Sequence, residues 1–409
     1  MAVLLTVITT RITQTTCFLF SNIICTDKKM EYVTLDEIYE AYFQCRRNKR
    51  TKSTSLVFEM HYERNLRQLW EDLNNMSYTI SSSIVFGVTR PKCREVFAAN
   101  FRDRIVHHLL MIKLEPLLEE EMIDNSYNCR KGKGTEYGIH TLSKQIFKVS
   151  DNYTKKTYVL QCDIQGFFMS IDKDVLWEAI KSVMNHKWKY GNLDWWMWLT
   201  KMIIYNRPEL NCTIHGNKSI LDGLPDNKTL FRSNGKGLPI GNLTSQIFGN
   251  YYLTCFDKFI INLFGEDCEY GRYVDDFYVI SINKKRLLKN ISKIRKYLFE
   301  NLKTKLHPKK VSIIDAKKGV KFIGSVVKPW GIYIGNRTVE NAFKVAKIKR
   351  PKDIKRHVQR LNSYFGYMIH RLTYSIRWSL WNTILDKNNL CVINMKKIKY
   401  IKNKKYVYN

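Results

Sequence analysis

The tightest constraint on this chain is a pair of apolar runs that each end in carboxylates. Tyr158 to Asp163 is short, apolar and closed by an acid, the pattern of a buried strand that delivers a carboxylate at its tip. Far downstream, the alternation from Tyr270 to Ile282 predicts a hairpin whose turn carries Val274-Asp275-Asp276. If both strands join one sheet, three carboxylates meet at its edge. An Asp-Asp pair on a turn is ordinarily a solvated turn, so this reading depends on what surrounds it.

The rest of the chain supplies that setting. With 409 residues and a hydrophobic fraction of 44%, it can fill two or three closely packed lobes. Lys and Arg number 68 against 37 acids, a net charge of +31, which demands a polyanionic partner, and nucleic acid fits best. A membrane surface would attract the same charge, but no stretch offers the roughly 18 to 20 consecutive apolar residues needed to span a bilayer. Ten cysteines lie scattered from Cys17 to Cys391 with no CxxC pair or Cys/His cluster at zinc spacing. They read as reduced thiols, and the chain as cytoplasmic.

Along the chain, Leu35 to Leu73 has amphipathic helical spacing. Ser81 to Val88 and Arg94 to Ala98 predict short strands around Thr89-Arg90-Pro91, and Arg102 to Met122 returns to helix, with His107 and His108 read as structural residues or phosphate contacts. A helix is expected from Lys173. Tyr190 to Gly237, rich in Asn, Gly, Asp and Lys, reads as a surface insertion with hairpin character. Leu243 to Phe264 has one long helical pattern. From Lys344 onward the only acids are Asp353 and Asp386, which marks a basic helical lobe, and its aromatics Tyr364, Phe365, Tyr367, Tyr374, Trp378 and Trp381 read as inward packing.

Phosphodiester synthesis needs a 3′-hydroxyl to attack an α-phosphate while pyrophosphate leaves, and two Mg²⁺ ions about 3.5 to 4 Å apart can stabilise both oxygens. Mg²⁺ takes hard oxygen ligands. Asp163, Asp275 and Asp276 form a minimal cradle of that kind.

Read together, the motifs resemble those of reverse transcriptases. RYVDDFYVIS resembles the YxDD signature and CDIQGFFMSID the aspartate motif before it; GLPIGNLTSQIFGNYYL lies between them, where that family has its glycine loop. RPKCREVFAANFRDRIVHHLL resembles the fingers motif, and LHPKK and KFIGSVVKP follow in the positions of the later palm motif and primer grip. The resemblance covers about Phe86 to Thr338. It implies an α+β right-hand polymerase, with fingers, a palm of antiparallel sheet packed on helices, and a short basic α-helical thumb. The expected division is an N-terminal extension at 1–29 (Met30 being an alternative start), a helical lead-in and fingers at 30–157, a palm at 158–340 with an insertion around 190–236, and the thumb at 341–409.

The resemblance also implies roles. Asp163, Asp275 and Asp276, with Ile164, would hold the two Mg²⁺ ions. Arg94, Phe168, Ile240, Gly241 and Gln246 would contact the nucleotide: Arg94 over the triphosphate, Phe168 beneath the sugar. Lys309 or Lys310 would protonate the leaving pyrophosphate. The two cannot be separated from the sequence, and Lys309 is carried as the candidate. The IGNLTSQ form of the loop is similar to that of diversity-generating retroelements. Their enzymes copy a template RNA into cDNA with errors at adenines and work with a small basic accessory protein. The partners implied are therefore template RNA, primer or cDNA, dNTPs and that accessory protein. The alternatives are a defence-type or other bacterial enzyme, abortive-infection or retron-like, and a catalytically silent RNA-binding protein. The silent reading is disfavoured by the survival of all three acids together with Arg94 and the loop.

Overall fold

The computed structural model describes residues 31–47, 49–90, 92–348, 351–385, 390–393 and 395–400. The extension at 1–29 lies outside them, as does Asp386. Helix α1 (Leu35–Arg46) starts in a capping box, in which Thr34 Oγ1 accepts from the Glu37 N–H and the Glu37 carboxylate accepts from the Thr34 N–H. It packs with α2 (Tyr62–Asn74) and α3 (Phe101–Glu121) through Ile38, Leu66, Leu69, Ile105 and Leu109, all fully buried. Between α2 and α3 lie the two expected short strands, β1 (Ser83–Val88) and β2 (Arg94–Ala98), and they pair antiparallel.

After α4 (Thr135–Val149) and β3 (Tyr158–Ile164), helix α5 runs from Lys173 to Lys187. The tract at 190–237 differs from its sequence reading. It opens with α6 (Leu193–Tyr205), whose Trp195, Trp196, Leu199 and Ile204 are buried in the main core, and it contains no hairpin among the described residues. Its short strand β4 (Cys212–Ile214) pairs parallel with β1 instead. Apolar residues at i, i+3 and i+4 outweigh the polar flanks, because burying two Trp side chains yields several kcal/mol.

The long helical pattern at 243–264 resolves into α7 (Leu243–Tyr252) and α8 (Thr254–Phe264), separated at Leu253. Then come β5 (Glu269–Tyr273), β6 (Asp276–Ser281), α9 (Lys284–Leu302) and β7 (Leu306–Asp315). Strands β5-β6-β3-β7, in that order, make an antiparallel sheet of four. Alternation along it divides two cores. Leu160, Cys162, Ile164, Phe277 and Val279 join the cluster containing α9's Leu287, Ile294 and Leu298. Val159, Tyr278 and Ile280 face the other way, onto Ile139 and Leu142 of α4.

A second sheet follows, β8 (Val320–Phe322), β9 (Ser325–Lys328) and β10 (Gly331–Ile334), in the order β10-β9-β8. The basic lobe has α10 (Asn336–Ala346), α11 (Ile354–Met368) and α12 (Tyr374–Leu385) around a core of Ala342, Leu361, Phe365, Leu380 and Ile384. Its expected all-helical character needs correcting, since β11 (Leu390–Ile393) and β12 (Lys397–Tyr400) form a hairpin. Of its aromatics, Phe365 is buried, whereas Tyr374 and Trp378 are exposed. Buried Arg371 ties the lobe to α4, its Nη1 donating to both oxygens of Glu136 at 2.8 and 2.9 Å.

Candidate active site

The acidic tips meet on one sheet. Ile164 N–H donates to the Asp275 carbonyl at 3.3 Å, so the facing residues Asp163 and Asp276 form a non-hydrogen-bonded antiparallel pair. Such pairs bring Cα atoms to roughly 4.5 Å with their side chains on one face. Asp163 is 7% exposed, while Asp276 opens onto a cleft of about 380 Å³ that Asp163, Lys309, Lys310 and Arg337 also line. The turn between β5 and β6 places Val274 at φ +58°, a left-handed conformation that costs a β-branched residue about 1–2 kcal/mol and must be held by its surroundings.

Arg272 does the holding, and the sequence reading passed over it. Fully buried, it donates through Nη1 to the Val274 carbonyl at 3.0 Å and to Asn250 Oδ1 at 3.0 Å. Its Nε and Nη2 meet the two oxygens of equally buried Asp257 at 2.7 and 2.6 Å, and Nη2 also donates to the Asn250 carbonyl at 3.1 Å. Asp257 sits on α8 and Asn250 on α7, so one guanidinium fixes the acidic turn to both helices. An arginine between the aromatics Tyr270 and Tyr273 of a strand bound for the sheet was the available signal, because a buried charge requires a partner.

The electrostatics of the cluster are those of crowded like charges. Desolvation, a hydrogen bond with Asp163 and the charges of Asp275 and Asp163 push the Asp276 carboxyl up to about 7, against relief from Lys310. Asp275 is raised as well, by desolvation and then by Asp163, with Lys310 and Lys92 opposing. Lys310 Nζ donates to Asp163 Oδ2 at 2.5 Å. Among the described residues, no three His, Cys, Asp or Glu side chains stand in a metal-holding group, and the Lys310 ammonium takes the place of a cation against Asp163. An all-oxygen donor set of three carboxylates, with the Lys310 ammonium against Asp163, fits a hard divalent cation. Ile164 has its side chain buried on the opposite face, leaving only its main chain for such a contact.

The other candidates fall around this cleft. Lys309 lines it without a contact to the acids, so Lys310 is the lysine the geometry brings to them. Arg94 is exposed where β2 begins, and Lys92 beside it acts electrostatically on Asp275. Phe168 is half-buried and Phe167 fully so; Phe168 packs with Ile240 against a small core of Val85, Phe97 and Met169. The Ile240 carbonyl accepts from the Phe97 N–H at 2.8 Å. Gly241 adopts φ +127°, and a Cβ there would stand 2.4 Å from the Phe97 carbonyl oxygen, so the position requires glycine. Gln246 is exposed on α7 and accepts from Cys129 Sγ. His107 is buried, with Nδ1 lacking a partner, and desolvation drives it down to about 3, so it is a neutral core residue.

The family described as reverse transcriptase (RNA-dependent DNA polymerase) matches residues 89–327, more than half of the chain. The chain belongs to that family. Protein YkfC of Escherichia coli is 22% identical over 264 residues, which cover 57% of this chain and 62% of YkfC. The putative COX1/OXI3 intron 1 protein of Saccharomyces cerevisiae is 21% identical over 206 residues, 49% of this chain and 21% of that one. The chain thus spans less than two thirds of these relatives. Among solved structures, apo telomerase from Candida tropicalis aligns with a TM-score of 0.46 at 14% identity, covering 75% of this chain and 56% of that chain. Telomerase from Candida albicans, in complex with a fragment of telomeric RNA, gives 0.44 at 10% identity, covering 81% and 60%. No described helix is long and apolar enough to cross a membrane.

Proposed function

We propose that this reverse transcriptase polymerises DNA on an RNA template, and that it is the error-prone enzyme of a diversity-generating retroelement acting in the cytoplasm. The observation that carries the polymerase reading is the direct pairing of Asp163 with Asp276 on adjacent strands, with Asp275 on the turn between β5 and β6. Two Mg²⁺ ions, when bound, would stabilise the attacking 3′-oxygen and the leaving pyrophosphate oxygen. Asp163, Asp275, Asp276 and the Ile164 main chain would hold them. For that, Lys310 must leave Asp163, and an incoming triphosphate gives its ammonium a new anionic partner. Lys310 then stands where it can donate a proton to the leaving group. From the tip of the β1–β2 hairpin, Arg94 grips phosphate oxygens as a fork and Lys92 adds a second cation. Phe168 and Ile240 shape the floor under the sugar, beside Gly241 and Gln246.

The retroelement reading rests on IGNLTSQ, in which Ile240 stands where more accurate relatives carry glutamine. Isoleucine offers only shape and dispersion, so a mismatch loses less there than it would against a polar contact. A small basic accessory protein is proposed as partner on the strength of this resemblance. Sequencing cDNA copied from one RNA by the wild type and by Ile240→Gln tests the reading. Errors concentrated opposite adenine and reduced in the variant are expected; an unchanged adenine error rate removes Ile240 from the mechanism. Polymerisation without any template would instead favour the defence-type alternative.

A further inference from the structure

Helix α9 carries a surface that the cleft cannot use. Its sequence, KKRLLKNISKIRKYLFENL, holds seven cations and one acid, Glu300. Leu287, Ile294 and Leu298 bury one side against β6 and β7. On the opposite side Lys285, Lys289, Lys293 and Lys296 follow at i, i+4, i+8 and i+11, one stripe on a helix of 3.6 residues per turn, extending roughly 17 Å at 1.5 Å per residue. Lys284 and Arg295 flank the stripe, and all six are exposed.

These charges are uncompensated. Lys296 reaches Glu300 only at 3.9 Å, and Lys285, Lys289, Lys293 and Arg295 have no ion-pair partner among the described residues. The basic surface continues past both ends of the helix. Lys156 and Lys284 sit 5.9 and 5.8 Å from the Tyr158 ring, and Lys305 lies 5.9 Å from the ring of exposed Phe299. So many like charges on one helix face destabilise it unless a polyanion neutralises them.

The sheet separates this stripe from the carboxylates. Asp163 and Asp276 project from the face shared by Val159, Tyr278 and Ile280, whereas α9 packs on the face of Leu160, Cys162, Phe277 and Val279. A primer–template seated at the acids would therefore have the sheet and a full helix diameter, about 10 Å, between itself and the lysines. We propose that the outer face of α9 is a second nucleic-acid site, which holds the phosphate backbone of a duplex region of RNA outside the copied segment. Duplex is the form the surface suits: it presents regularly spaced cations and one exposed aromatic, Phe299, in place of the series of rings that stacks single-stranded bases. The inference rests on the reading that the cleft holds the primer–template.

The test uses the full chain and a blunt RNA hairpin with no extendable 3′ end. In the first arm, Lys285, Lys289, Lys293 and Lys296 are all changed to Gln. Affinity for the hairpin is expected to fall at least tenfold, and the slope of log affinity against log salt to flatten by about 3.6, roughly 0.9 for each of the lost phosphate contacts. Extension of a short primed template keeps its kcat and KM. In the second arm, wild-type protein saturated with a primed template still binds the labelled hairpin, a result that does not depend on the variant folding. Unchanged hairpin affinity in the variant, or hairpin binding abolished by a filled cleft, overturns the proposal. Binding needs no catalysis, so failure here is separable from failure of the polymerase reading, which the extension measurement reports.

Discussion

Replacing Arg272 with Met removes its five side-chain hydrogen bonds, one to the Val274 carbonyl of the acidic turn and four to Asp257 and Asn250, and it leaves Asp257 as an unpaired carboxylate with 0% exposure. Breaking a buried ion pair from one side costs about 3–5 kcal/mol. Tyr270 still donates to Asp257 at 2.5 Å, which keeps the expected loss toward the lower end, near 3 kcal/mol. The pair can also be removed whole. Arg272→Met with Asp257→Leu buries no charge, and such replacements are often neutral or stabilising by about 1–4 kcal/mol. Stability should therefore return in the double variant, but the Val274 carbonyl still lacks its donor, and nothing holds Val274 at φ +58°. Nucleotide incorporation should stay depressed tenfold or more, mainly in kcat. Urea denaturation beside primer extension measures both quantities. Full activity in the double variant would refute the positioning role, and Arg272→Met of wild-type stability would refute the energetics.

Two further substitutions probe the cleft. Lys310→Ala should lower kcat by about 10²- to 10⁴-fold, the range for loss of a general acid, while Lys309→Ala stays within a few-fold; equal losses in single-turnover assays would undo the choice between them. Gly241→Ala forces a Cβ toward the Phe97 carbonyl at a positive φ, a strain of about 1–3 kcal/mol. It should raise KM for dNTPs, and an unaltered KM would detach the glycine loop from the nucleotide.

What was legible in the sequence was whatever local spacing encodes. Asp275 and Asp276 are adjacent and Asp163 closes its own strand, so hydrophobic alternation was enough to foresee the sheet that unites them. Long-range chemistry was not legible. Nothing beside Lys309 or Lys310 reveals which ammonium turns toward Asp163, since that depends on the register of β7 against β3. Arg272 read as part of a motif until its partners on α7 and α8 were placed around it. In the tract at 190–237 the abundance of Asn, Gly and Lys concealed LDWWMWLTKMIIY, a buried helix whose Trp195, Trp196 and Leu199 already had helical spacing. Composition taken over a long window averaged the helix away. Likewise the Lys-rich composition at the end of the basic lobe concealed the apolar run Leu390–Ile393 and the alternation Lys397-Ile398-Lys399-Tyr400, which pair there as β11 and β12.

The most direct measurement is primer extension on an RNA template with Mg²⁺, comparing wild type with Asp275→Ala and Asp276→Ala and following RNA binding in parallel. The account predicts DNA synthesis by the wild type, none by either variant, and nearly equal RNA affinity for all three, because the positive surface that sets affinity is spread over many residues. Full synthesis by either variant would contradict the assignment of the acidic turn as the catalytic centre.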